Sequence, residues 1–387
     1  MFRLHNYKKC TFKIKFNNHI DKLYNHWINQ YKWKGVMKNY MDNNHQNISK
    51  DFQTLSDQRK KLVNKYHLEI DDIDFAEEML LKRNYFDLIN GIEETFPDGN
   101  KKPKNFSGFA FEDFVCLYDL NVDFRTYALR VIADFEIQLK SISSYYFNEY
   151  VQSNYPNAPV TAYLDKNFYH QPSADSNLFP EPFHKHFEKF IFFHSRREVP
   201  PKYKRFVDAN DSETATVYKN IYMAKQMAEV PLLRPYKTPP LWVVIKLLDF
   251  GQLTHFIAYL IPNVQKKVKK AMGFEDFSAM EFIQALQIVQ DFRNHLAHFN
   301  MINKFESTIS ISNDLQTKLG GDIISVYSIL GILKKTVDLE PIWNVFSKLN
   351  TLISEDDSNK LSPVFDELLT NMGAKDVDSW QVLIKNN

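Results

Sequence analysis

Cysteine, glycine and long apolar runs are what this chain of 387 residues has little of. Its two cysteines, Cys10 and Cys116, lie far apart and form no metal-type pair, which excludes a disulfide framework and points to a reducing compartment. Ten glycines beside a 44% hydrophobic content argue against strand-and-turn architecture and predict an all-α fold. No apolar run approaches the roughly 18 residues needed to span a bilayer. The opening MFRLHNYKKCTFKIKF also has no uninterrupted apolar segment of signal-peptide length. A soluble cytoplasmic protein without membrane contact is the expectation. The length exceeds what one core usually holds, so either two domains or one large helical domain with extensions is expected.

The net charge of +1 hides an asymmetry. Residues 1–50 carry ten Lys or Arg, among them Lys8, Lys9, Lys13, Lys15, Lys32 and Lys34, against Asp21 and Asp42. That is a net +8, leaving −7 for the remaining 337 residues. Tyr7, Phe12, Phe16, Tyr24, Trp27, Tyr31, Trp33 and Tyr40 are interleaved with these cations, a composition suited to phosphates and stacked bases. The plainer reading is a lysine-rich solvated face over an ordinary aromatic core, since aromatics are abundant throughout the chain.

Beyond this basic extension, 1–55, segment 56–90 reads as helical, with Leu62, Leu68, Ile73, Phe75, Met79 and Leu80 as its apolar residues and Gly91 as a stop. FPDGNKKPKNFSG, 96–108, must be a loop. Phe124, Ala128, Val131, Phe135, Leu139, Ile142 and Tyr146 recur at steps of three and four and predict a long helix over 123–150. Its other face carries Arg125, Arg130, Glu136 and Lys140. Five prolines make 153–182 a surface loop, and a second irregular stretch spans 196–213. Helices are expected to resume at 183, over 214–229 and 240–260, and again near 322–336, 340–354 and 363–372. The expected division is 1–55, a helical core over 56–305, and a C-terminal helical segment over 306–387 packing on that core.

Segment 278–299, SAMEFIQALQIVQDFRNHLAHF, opens with Ser278 and has Glu281 three residues later, the pattern of a capping box. Phe282, Leu286, Val289, Phe292 and Leu296 form one stripe. At about 100° per residue Arg293 falls near the middle of it, where a guanidinium needs an anionic partner, either a structural carboxylate or a ligand phosphate. His298 lies about 140° around the helix from Arg293, whereas Asn294 and His298 share a face. Either the helix ends between Arg293 and His298 or a second subunit completes a site. A polar helix end without chemistry is the commoner case for such a pattern.

An ordered series of segments changes that weighting: AEEMLLKRNYFDLINGI (76–92), FEDFVCLYDLNVDFRTYALRVIADFEIQLKSISSYYF (111–147), AYLDKNF (162–168), PPLWVVIKLLDFGQLTHF (239–256), FRNHLAHFN (292–300) and MGAKDVDSW (372–380). In these the chain resembles the Abi (abortive infection) family of bacterial phage-resistance proteins, the AbiD/AbiF-like group, which is placed in the HEPN superfamily of α-helical nucleic-acid enzymes. The resemblance implies a multi-helix HEPN-type bundle with long loops. It also implies a metal-independent endoribonuclease, without cofactor, whose Arg-x4-6-His motif lands on Arg293, Asn294 and His298. Cleavage without metal needs a base for the 2′-OH proton, an acid for the leaving 5′-oxygen and a cation for the phosphate. His298 is of the type for the proton transfers, Arg293 for a bidentate phosphate contact, and Asn294 for orienting hydrogen bonds. One motif supplies one such histidine, so a homodimer that brings two motifs into one cleft is part of the expectation.

Two positions depart from the family pattern. Met301 stands where relatives often carry Arg, and Lys140 replaces the usual Arg of the long helix's Glu-x-x-x-Arg, keeping charge but losing bidentate geometry. Arg125 and Lys140, with the lysines of the basic extension, are the expected RNA contacts. A metal hydrolase built on His184, His186 and His194 is a rival, but their spacing is not a familiar zinc pattern. His170, His255 and His295 read as structural, with His295 placed to assist. The other rival is an RNA-binding toxin or sensor that does not cut, held by a small non-coding RNA.

Overall fold

Polar residues at the ends of apolar stripes set where the helices begin. Thr54 and Asp57 exchange side-chain and backbone hydrogen bonds as a capping box, and helix α1 (Leu55–Tyr66) follows. His67 ends it in a left-handed conformation, and Asp72 then accepts from the Phe75 amide to start α2 (Ile73–Lys82). The segment 56–90, read as helical, is two helices and a short π turn, Phe86–Asn90. The break lies where Glu69 leaves the helical pattern and pairs with Ala110.

The computed structural model describes residues 51–171, 181–208, 210–320, 324–354, 360–374 and 376–385. Among them the architecture is all-α, with two isolated bridge pairs and no strand. No helix there is long and apolar enough to cross a membrane. The described residues divide into two compact units, one of 51–94 and 98–118, the other of 95–97 and those from 119 onward. In the first, α1 and α2 pack together, and Phe106 sits edge-on to both Tyr66 and Phe114 at the centre of an aromatic core.

Helix α3 (Phe111–Asn154) is longer than the predicted 123–150. Phe111, Phe114, Val115 and Leu117 extend its apolar stripe backwards, and Asp113 caps it by accepting from the Ala110 amide at 2.7 Å. Phe124, Ala128, Val131, Phe135 and Leu139 are buried as expected, but the stripe then passes to Phe147 and Val151, leaving Ile142 and Tyr146 partly exposed. Turns of 3-10 helix at Ala162–Leu164 and Lys166–Phe168 punctuate the proline-rich loop that follows.

The second unit continues with α4 (Glu181–His186), α5 (Ser212–Lys219), α6 (Ile221–Glu229), α7 (Leu241–Val244), α8 (Phe250–Ala258) and α9 (Pro262–Ala271). It closes with α10 (Ala279–Ala297), α11 (Asn313–Leu319), α12 (Val326–Lys334), α13 (Glu340–Ser354), α14 (Ser362–Asn371) and α15 (Val377–Lys385). The stretch 214–229 is split at Asn220, which caps α6 by accepting from the Met223 amide while its own amide group donates to the Ile191 and Phe192 carbonyls. The stretch 240–260 is split in the same way at Asp249, the start of another capping box. Helix α10 is the central element. It packs on α8, α9 and α12, and Phe282, Ile283, Leu286, Val289, Phe292 and Leu296 along it have no exposed surface.

Candidate functional site

The start of α10 is fixed by the capping box expected from Ser278 and Glu281: Ser278 Oγ accepts from the Glu281 amide at 3.2 Å, and the Glu281 carboxylate accepts in return from the Ser278 amide. Lys318 adds a hydrogen-bonded ion pair to that carboxylate at 2.8 Å. Burial alone would raise the carboxyl pKa, but the bonds from Lys318 and Ser278 together hold it below the usual value.

The far end carries the site. The helix runs through Ala297, and His298 is its C-terminal cap, the His298 amide donating to the Asn294 carbonyl at 3.0 Å. Phe299 follows with φ +62°, its amide donating to Leu296 O at 3.1 Å, and the Asn300 amide donates to His295 O at 3.3 Å. These paired bonds are a Schellman motif, and its left-handed position, occupied here by Phe, is usually taken by Gly. A β-carbon there costs about 1–2 kcal/mol.

The chain after the cap is held from two sides. Asn121 of α3 is buried. Its Oδ1 accepts from the Ile302 amide at 2.8 Å and its Nδ2 donates to Met301 Sδ at 3.2 Å. His295 Nε2 donates to Met301 O at 2.9 Å, and the ring stands edge-on to Phe305, which in turn packs edge-on to Phe292. Since a carbonyl only accepts, the Nε2–H form of neutral imidazole is the one that fits. Burial lowers the His295 pKa, reinforced by the nearby His298 and opposed by the Met301 carbonyl and Asp291. Asp291 accepts from Ser307 Oγ and the Thr308 amide, folding the chain back along the helix.

Arg293 is only 5% exposed, as its place in the apolar stripe implied, and its Nη1 donates to Asn294 Oδ1 at 3.1 Å. Asn294 is half-buried and His298 exposed, on the same face one turn apart. The helix continues past Arg293 to Ala297 and His298 caps it directly, so no break in the chain turns the two side chains onto one face. Arg125 is brought to this end of α10, its guanidinium lying over the Phe299 ring at 4.7 Å. Lys140 is not. It lies 15 residues further along α3, about 22 Å by helical rise, where it pairs with the buried Glu136 at 2.7 Å. Lys8, Lys9, Lys13, Lys15, Lys32 and Lys34 lie outside the described residues.

The remaining histidines are scattered. The His186 and His255 rings are 6.0 Å apart, and His255 Nδ1 bonds the Tyr259 hydroxyl, which itself donates to Phe183 O. Burial, with His186 adding to it, pushes His255 down to about 4. Among the described residues no three His, Cys, Asp or Glu side chains are grouped to hold a metal ion. Phe299 and Asn121 had no signal in the sequence: neither an aromatic after a helix end nor an asparagine inside a long helix announces a partner far along the chain.

The model of the family described as Abi-like protein matches residues 78–303, more than half of the chain. This chain belongs to the Abi-like family. The match takes in Asn121, Arg125 and the whole Arg293–Asn300 segment, and it ends within the 3-10 turn Ile302–Lys304 that Asn121 anchors. The Abi-like region therefore contains every described residue of the site up to Asn303, whereas the basic 1–55 segment and α11 to α15 lie outside it. No curated protein and no solved structure matches the chain.

Proposed function

We propose that this Abi-like protein acts in abortive-infection defence as a metal-independent endoribonuclease of the HEPN type, AbiD/AbiF-like, with Arg293, Asn294 and His298 as its site. The observation that carries the reading is the exposure of His298 at the capped end of an otherwise buried helix, inside the family match, with Asn294 on the same face and Arg125 over the ring of the next residue, Phe299. In the reaction one imidazole takes the 2′-OH proton and the 2′-oxygen attacks phosphorus. The P–O5′ bond then breaks, and a second histidine, present as its imidazolium, protonates the leaving oxygen, giving a 2′,3′-cyclic phosphate and a 5′-hydroxyl. One His298 per chain supplies half of this, so a two-fold homodimer supplies the other half. Arg293 positions Asn294 from within the helix packing, and Arg125 brings positive charge to the exposed edge.

The burial of Arg293 away from the His298 face favours a second reading, an RNA-binding toxin or sensor that does not cut and is held by a small non-coding RNA. Induced expression of wild type, Arg293→Ala and His298→Ala separates the two. Cell growth, RNA cleavage in the presence of EDTA, and circular dichroism would be measured together. Cleavage lost in folded His298→Ala supports the ribonuclease. Wild type that binds RNA without cutting it moves the assignment to the second reading.

A further inference from the structure

Phe299 breaks a local rule without serving the core. The Schellman turn at the end of α10 calls for a residue that tolerates positive φ, and Gly would meet that need without strain. A bulky aromatic in this conformation is an outlier that points toward use. Phe299 is 44% exposed, so burial does not account for it. The Arg125 guanidinium lies over the ring at 4.7 Å, a cation against the aromatic face of the residue that follows His298.

We propose that Phe299, with Arg125 against its ring, is a stacking platform for one unpaired nucleobase next to the phosphate presented to His298. The inference rests on the RNA reading of the same site and names its substrate class: single-stranded RNA, because a base held in a duplex has no face to offer. The aromatic face accepts any base, so the platform sets strandedness and register, with little preference for sequence. Arg125 supplies positive charge next to the adjoining phosphate.

The test is binding of a short single-stranded oligonucleotide, fully 2′-O-methylated so that it lacks the attacking hydroxyl, to full-length wild type, Phe299→Gly and Phe299→Trp. Each protein is also titrated with the abasic version of the same strand and with the duplex. Wild type and Phe299→Trp are expected to prefer the strand with bases over the abasic strand by roughly 5-fold or more. Phe299→Gly is expected to lose that preference while keeping a Tm at or above wild type. If Phe299→Gly keeps the preference, or if its Tm falls clearly, the ring is structural and the platform is wrong, while RNA binding by the site stands. If wild type binds neither strand, the RNA reading itself fails, and the platform with it.

Discussion

Two half-buried imidazoles make this fold sensitive to acid. His255 is driven down to about 4 by burial and by the neighbouring His186, and His295 is lowered for the first of these reasons. A base whose folded pKa lies below its unfolded value of about 6.5 contributes stability that is fully present above that value. The contribution is lost as pH falls toward the folded pKa. For His255 the loss between pH 7 and pH 4 is roughly 3 kcal/mol. Thermal melts at pH 7.5 and pH 5 are therefore expected to differ more for wild type than for His255→Gln, and equal pH slopes would remove His255 as the cause. Asn121 is the other sensitive position, because its carbonyl oxygen satisfies the buried Ile302 amide that fixes the chain behind His298. Asn121→Ala is expected to cost about 1–3 kcal/mol in urea denaturation. If the ribonuclease reading holds, it should also lower cleavage, since the turn it anchors follows the cap directly.

The start of α10 was far more legible in the sequence than its end. Ser278 with Glu281 announced α10, and the side chains make the reciprocal bonds that this spacing allows. The end of the same helix carried no such mark, because Phe299 occupies the place where a glycine would have signalled a stop. Breaks inside continuous apolar patterns were missed for a related reason. Asn220 and Asp249 look like ordinary polar residues within helical stretches, and only their bonds to Met223 and Gln252 show them to be caps. Periodicity did place Arg293 among buried neighbours, but a helical wheel does not say which atom meets a guanidinium, and the Asn294 side chain was not foreseen as a partner. The burial of α10 gives a direct expectation: Leu286→Ala should destabilise the protein by about 2–5 kcal/mol, since Leu286 is fully enclosed. A smaller cost, about 1 kcal/mol, is expected for Ser278→Ala, which removes one half of the capping box. Urea midpoints compared at a common slope would check both, and a larger loss at Ser278 than at Leu286 would mean that capping outweighs core packing here.

On the scale of the whole molecule the sequence displayed charge but not arrangement. The +8 of residues 1–50 could be counted, yet no pattern along the chain related Arg125 to Phe299, 174 positions apart, or told it from Lys140 on the same helix. A single chain presents one His298 and sets Arg293 on a different face, so the proposed chemistry depends on assembly. In the proposed two-fold dimer both motifs would serve one cleft, one histidine as base and its symmetry mate as acid. That arrangement has a measurable consequence in mixed dimers. Wild-type and His298→Ala chains carrying different tags would be co-expressed and the heterodimer isolated by sequential affinity steps. If two sites worked independently, the heterodimer would retain half of the wild-type cleavage rate. With one shared cleft the loss of either histidine removes acid or base from the only site, typically a 10²–10⁴-fold effect. The heterodimer is then expected to cleave at close to the rate of the His298→Ala homodimer. A rate near one half would show that each chain completes its own chemistry, and the second proton-transfer group would then have to be sought within a single chain, with His295 three residues before His298 as the first to replace.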